Sequence, residues 1–371
     1  MSFVVRSGVA KNGDLVVGSR EKTMARFIRF GRAAAGASLT RVMLFVGAFF
    51  VCMPSSFAQS RSVDFVAQHG QLSVSGTQLV DSAGAPIVLR GMSFGWHVWW
   101  PQFWNADVVT WLRDDWNCTV LRAAMGIEPR GGYLQSKEEA KQIVKTVVDA
   151  CIQNGMYVII DWHDHNASKH LDESKEFFVE MARTYGDHPN VIYEIYNEPE
   201  SDTWEEVKHY AETIIAAIRE VDPDNIILVG SPHWDQDVHL AADDPIDGVT
   251  NVMYTLHFYA GTHKQSLRDN ADYALSKGLP LFVSEYGGCE ASGLGKLDIP
   301  EWDRWVKWME DRKISWCKWC IGDKEETCAA LIPHARSTGG WSQSDLTHSG
   351  VYVRNWLRRL NQAPVTPSPG E

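Results

Sequence analysis

Several features are missing from this chain, and each absence closes off a class of function. No GxGxxG or GxxxxGK glycine-rich loop follows any strand-like run, so nucleotide binding through a phosphate loop is not expected. Positive charge is in short supply: 35 Lys and Arg stand against 47 Asp and Glu, a formal net charge of -12. That balance argues against nucleic acid or an anionic membrane as partner, because both attract a basic surface. No apolar run reaches the roughly 20 residues that a membrane-spanning helix needs. No internal repeat is present. Cysteine is sparse, at 7 residues, and Cys317 and Cys320 form the one CxxC pair. Without a second pair they make half a zinc site; a structural disulfide near the last strand, or inert buried thiols, is the expectation. No metal and no cofactor is expected.

What is present divides the chain unevenly. Residues 1–58 read as a secretory signal peptide with a long basic leader. Arg20, Lys22, Arg26, Arg29, Arg32 and Arg41 precede the apolar run Val42–Met53, and the small residues Ser56 and Ala58 frame a cleavage site before Gln59. Met24 is an alternative start, and an uncleaved membrane anchor is the alternative reading. Export implies a secreted or periplasmic/extracellular protein, free of the membrane after cleavage, in a compartment that permits disulfides. Residues 59–362 are expected to form one folded domain, opened by a short hairpin over Gln71–Val88. Residues 363–371 have the Pro/Ser-rich composition of a linker, with no module expected after them. The 44% hydrophobic content is ample for a large core, and 16 Trp are more than a core needs, so some are expected to line a cleft.

Within the domain, strand-like and helix-like patterns alternate. Strands are expected at 86–92, 118–125, 156–163, 191–199, 225–230, 251–258, 279–285 and 313–319. Helices are expected at 106–115, 137–154, 174–185, 203–221, 266–277, 300–312 and 352–360. Eight strands with helices between most of them predict an α/β fold, a (β/α)8 TIM barrel; a doubly wound open sheet is the alternative.

A TIM barrel builds its chemistry at the C-terminal ends of its strands. Those positions hold Arg122; Asp161, Trp162 and His163; Asn197 and Glu198; His257 and Tyr259; Glu285; and Trp319, with Lys324 and Glu326 in the loop beyond. Taken singly, Glu198 reads as a loop acid or helix cap, a lone His as structure, and a lone Trp as core. Two glutamates closing buried strands, at 191–198 and 281–285, read together as a carboxylate pair across one cleft. A pair flanked by Arg, His, Tyr, Asn and Trp, without metal-ligand spacing, suits glycoside hydrolysis: one acid protonates the leaving oxygen and the other stays ionised.

Leu121–Met125, Ile160–His163, Val191–Pro199, Tyr254–His263 and Val283–Gly287 carry a family resemblance. The sequence is similar to the bacterial endoglucanases (cellulases) of glycoside hydrolase family 5, from about Gln71 to Leu360. The resemblance implies a retaining endo-β-1,4-glucanase with Glu285 as nucleophile and Glu198 as acid/base. It implies that Asn197 binds the sugar 2-hydroxyl, that Arg122 and Tyr259 hold the nucleophile, and that His163 and His257 surround the reacting sugar. Trp319 matches an aromatic platform, Lys324 and Glu326 match sugar-binding positions further along the cleft, and Trp99 fills a tryptophan role near the first strand. Gly95 and Gly126 depart from the pattern, standing where some relatives carry His and Tyr. The expected partner is a β-1,4-glucan acted on by a monomer. Rival readings are the same mechanism on mannan, xyloglucan, xylan or mixed-linkage glucan, a non-catalytic carbohydrate-binding barrel, and a metalloenzyme drawing on His163, His165 and His170.

Overall fold

The computed structural model describes residues 64–362. The expected signal peptide and the Pro/Ser-rich tail lie outside the described residues. Eight parallel strands form a closed ring: β1 (Arg90–Phe94), β2 (Val120–Gly126), β3 (Tyr157–His163), β4 (Val191–Glu194), β5 (Ile226–Val229), β6 (Val252–Thr255), β7 (Leu281–Gly287) and β8 (Trp316–Ile321). Each pairs with its sequence neighbours, and β8 pairs with both β7 and β1. The barrel is therefore the expected one, and the open sheet is ruled out, because an open sheet leaves two edge strands. Among the described residues, the seven helices of nine or more residues are Ala106–Asp114, Lys137–Gln153, Leu171–Tyr185, Trp204–Arg219, Gln265–Ser276, Ile299–Arg312 and His348–Leu360, and they pack outside it. No helix among the described residues is long and apolar enough to cross a membrane.

Local chemistry sets several boundaries. Thr203 and Glu206 form a capping box that starts helix Trp204–Arg219. Helix Ile299–Arg312 stops at Lys313, whose φ of 56° is left-handed, so β8 begins at Trp316 and not at 313. The strand expected over 191–199 ends at Glu194. Beyond it the Asn197 amide donates to the Trp162 carbonyl and the Glu198 amide to the Asp164 carbonyl, which bends the chain across the barrel mouth.

Strand alternation sorts the interior into two floors. The lower floor is apolar: Leu89, Val120, Tyr157, Ile159, Ile192, Ile226, Leu228, Met253, Phe282 and Cys317. Leu72, just before the hairpin strand Ser73–Ser75, and Leu79 of its partner Gln78–Val80 join that cluster and plug the barrel from below. Further along the same strands, the inward positions turn polar: Ser93, Arg122, Asp161, Glu194, Thr255 and Ser284, all fully buried. Trp162, counted above among the rim residues, faces outward and packs on Tyr133 and Phe177.

Candidate active site

Arg122 is the hub of the upper floor. Its guanidinium meets Glu194 at 2.7 Å, Glu285 at 2.9 Å, Asp161 at 2.9 Å and the Asn197 Oδ1 at 2.6 Å. Burial works against its charge, but the three carboxylates more than offset that and hold Arg122 firmly cationic. Burial also opposes the charge of Glu194, and Arg122 wins, keeping that carboxyl below its usual range.

Glu285 owes its place to a bulge in β7. Val283 pairs with Trp316 and Tyr286 with Lys318, so β7 carries one extra residue there. Alternation points Phe282 and Ser284 inward; the extra residue lets Glu285 face inward as well, and Tyr286 returns to the outer core. Glu285 accepts from Arg122 and from the Tyr259 hydroxyl, at 2.7 Å. Burial and the charge of Glu198 push its carboxyl up, against Arg122, His257 and Tyr259.

Glu198 stands opposite, beyond β4, with His257 Nδ1 at 3.0 Å and His165 Nε2 at 3.3 Å. Burial raises its carboxyl, and the two histidines more than reverse that, so Glu198 is held below its usual range. His257 is pushed up in turn: burial opposes its charge, but Asp235, Glu194, Glu198 and Glu285 outweigh it. One oxygen each of Glu198 and Glu285 and one nitrogen of His257 lie within 4.8 Å of one another.

Asn197 is fully buried. Its Oδ1 faces Arg122, a donor, so its Nδ2 is the group left without a protein partner, free to donate to a ligand hydroxyl. His163 donates from Nδ1 to Asp161 at 2.7 Å, and burial together with Arg122 keeps the ring neutral. Its face lies parallel to the Trp319 indole at 5.3 Å.

A profile of the family described as Cellulase (glycosyl hydrolase family 5) matches residues 80–325 of this chain. The chain belongs to glycosyl hydrolase family 5. An endoglucanase of Clostridium saccharobutylicum is 48% identical over 305 residues, covering 81% of this chain and 68% of that protein. Endoglucanase A of Evansella cellulosilytica is 48% identical over 291 residues, covering 77% of this chain and 59% of that protein. The chain thus spans about three-fifths to two-thirds of these relatives. The catalytic domain of Thermobifida fusca endoglucanase Cel5A, solved as a variant in complex with cellotetraose, is 34% identical with a TM-score of 0.76, covering 79% of this chain and 99% of that domain.

In this family 5 barrel, six of the residues singled out from sequence are joined by hydrogen bonds or ion pairs: Arg122, Asn197, Glu198, His257, Tyr259 and Glu285. His163 and Trp319 stand beside them. The remaining three sit further out. Trp99 is 55% exposed on the rim, and Lys324 pairs with Glu326 at 3.2 Å in the loop after β8, neither bonded to the Glu198–Glu285 pair. His163, His165 and His170 do not converge; they turn to Asp161, Glu198 and Asp164 respectively.

Sequence reading overlooked Glu194, Ser284, Asp235 and Trp96. Glu194 was detectable: a lone carboxylate inside the apolar run 191–196 demands a buried cation. Trp96 accounts for one of the glycine departures. Its indole stacks on Trp99 at 4.7 Å and stands edge-on to His163 at 4.4 Å. A Cβ on Gly126 would come within 2.8 Å of that indole, and one on Gly95 within 2.4 Å of Trp100. Indoles thus fill the space that side chains at 95 and 126 would take. Trp96→Ala is expected to raise KM for oligosaccharide substrates by about tenfold, the effect of about 1.4 kcal/mol of lost stacking, with kcat within about twofold. Steady-state kinetics on chains of increasing length checks this; an unchanged KM would make Trp96 a mere filler.

The CxxC cysteines follow the second of the two expectations, inert buried thiols. Cys317 and Cys320 are free and buried, and burial pushes both thiols up, which leaves them unreactive. The disulfide joins Cys289, just past β7, to Cys328, in the loop after β8. A Cβ on Gly287 would come within 2.6 Å of both the Tyr259 ring and Cys328 Sγ, so the bridge packs beside the tyrosine that holds Glu285.

Proposed function

We propose that this glycoside hydrolase is an endo-β-1,4-glucanase that cleaves internal bonds of cellulose or related β-glucans with retention, through a glycosyl-enzyme intermediate. The observation that carries the reading is the approach of the Glu198 and Glu285 carboxylate oxygens to within 4.8 Å. Retaining enzymes hold their carboxyl groups about 5–5.5 Å apart, and inverting ones about 6.5–9.5 Å, to admit a water. Glu285 attacks the anomeric carbon while Arg122 and Tyr259 hold its charge. Glu198 delivers the proton to the leaving oxygen, then takes one from the water that hydrolyses the intermediate. In the resting site that proton sits on His257 Nδ1, 3.0 Å from Glu198, and shifts across their hydrogen bond. As Glu198 becomes neutral, the charge that pushed Glu285 up disappears, and the nucleophile ionises more readily. The Asn197 Nδ2 suits the sugar 2-hydroxyl, and the Trp319 and Trp99 faces suit sugar rings.

The endoglucanase names of the relatives and the cellotetraose complex of the Thermobifida domain favour β-1,4-glucan as substrate. A panel of carboxymethylcellulose, mannan, xyloglucan, xylan and mixed-linkage glucan, with product-chain analysis, tests this. Early loss of viscosity on carboxymethylcellulose and retained anomeric configuration are expected. Faster release of reducing ends from mannan or xylan would replace the glucan reading.

We further infer that the protein is exported. The apolar run before Ala58 and the Cys289–Cys328 disulfide both support an oxidising destination. Secreted material is expected to begin near Gln59 on N-terminal sequencing; a chain still carrying Val42–Met53 would contradict cleavage.

A further inference from the structure

Asp235 is fully buried, belongs to none of the strand ends read above, and has no part in the mechanism as written. It closes a turn after β5 in which His233, Trp234 and Asp235 all have positive φ, at 59°, 55° and 58°. Three successive non-glycine residues in the left-handed region are costly, on the order of 1–3 kcal/mol each, and persist only where surrounding structure dictates them. Here the Trp234 amide donates to the Pro199 carbonyl, next to Glu198, and the His257 amide donates to the Asp235 carbonyl. The turn is thus wedged between the two segments that carry the acid/base and its histidine.

The hydrogen bonds around His257 fix where its protons lie. Glu194 is an ionised acceptor, so the Ser284 hydroxyl, 2.6 Å away, donates to it. Ser284 Oγ must then accept from His257 Nε2 at 2.8 Å, and Nε2 always carries a hydrogen. The mobile proton is the other one, shared between His257 Nδ1 and Glu198 Oε1. Behind the ring, Asp235 Oδ2 lies 3.3 Å from Nε2 without a hydrogen bond of its own, while Oδ1 accepts from the Ser231 amide at 2.6 Å. Burial pushes the Asp235 carboxyl well above its usual range, against His257 and the Ser231 amide, so the facing imidazolium keeps the carboxylate ionised and the carboxylate in turn stabilises the charge on that ring.

We propose that Asp235 is a positioning residue for acid/base catalysis: its carboxylate, packed behind His257, keeps the imidazole charged and so keeps a proton available to Glu198 at neutral pH. The inference deepens the retaining-hydrolase reading and rests on it for its catalytic meaning, though not for its test. The other groups facing His257 are Glu194 and Glu198 from the β4 segment, Ser284 and Glu285 from β7, and Asp161 and His163 from β3. Of the carboxylates among them, Glu194, Asp161 and Glu285 each contact Arg122. Asp235 makes no contact with Arg122, and His257 is the cation it faces.

Removing the Asp235 charge weakens the hold of His257 on its proton, so the ring deprotonates at lower pH and the alkaline limb of activity moves down. The test is an NMR titration of the His257 ring nitrogens in the wild type and in Asp235→Asn, which needs no substrate. The His257 midpoint is expected to fall by about one pH unit or more. The kcat/KM–pH profile on a soluble β-glucan should lose activity first on its alkaline side, with KM and the acidic plateau little changed. An unmoved His257 midpoint overturns the proposal, whether activity persists or falls equally at every pH. If Asp235→Asn does not fold, Asp235→Ser gives the same comparison. Failure of wild-type protein to hydrolyse any β-glucan would count against the hydrolase reading, and the titration would still decide what Asp235 does to His257.

Discussion

Glu285→Gln is expected to lower kcat by about 10⁴-fold or more while the barrel stays folded, because the amide cannot form the glycosyl-enzyme bond. Glu198→Gln is expected to lose about 10²–10⁴-fold on cellulose, whose leaving oxygen needs a proton. The two variants separate on an activated aryl cellobioside. Its phenolate leaves without protonation, so Glu198→Gln should release a rapid burst of phenol and then stall with the enzyme glycosylated, whereas Glu285→Gln should release none. Rapid-quench kinetics with intact-mass measurement reads both. Activity within tenfold of wild type for either variant would refute the assignment of roles, and a burst from Glu285→Gln would exchange them.

The second large effect is on stability. Arg122→Met leaves Asp161, Glu194 and Glu285 in a dry interior with their shared cation gone. Breaking a buried ion pair from one side costs about 3–5 kcal/mol. For a domain of this size that corresponds to a Tm loss on the order of 10 °C by calorimetry at neutral pH. Burial holds Asp161 and Glu285 above their usual range even beside Arg122, so the stability that is lost in acid comes from Glu194. Its folded-state carboxyl lies below the usual range, so it contributes stability above the unfolded carboxylate range and loses it as pH falls through its folded value. The gap between wild type and variant should therefore be widest near neutrality and narrow in acid. A melting point unchanged at pH 7 would mean that the three carboxylates take up protons without penalty.

Much of this architecture is readable in the chain because strand alternation and strand ends carry it. Ile192 and Glu194 share a face, as do Val120 and Arg122, so a two-residue step from apolar to charged marks the passage from the floor of the barrel to its chemistry. Asn197 and Glu198 announce themselves through the proline that follows. Where the reading stops short, the cause is three-dimensional. The extra residue in β7 that turns Glu285 inward has no glycine to mark it. Asp235 reaches His257 through a left-handed turn, and a His-Trp-Asp sequence gives no local reason to adopt one. Trp96 explains Gly126 only once the two are seen in contact. The CxxC pair attracts attention by its spacing, yet both thiols are inert and the bonded cysteines lie 39 residues apart.

That bond links two loops at the barrel mouth and no part of the apolar floor below. The ring of strands and the hairpin plug owe it nothing, so a chain held under reducing conditions should still assemble its barrel. What such a chain lacks is the staple beside Tyr259. Shape and cutting power would then be acquired in two stages: the first by burying hydrocarbon, the second by meeting an oxidant.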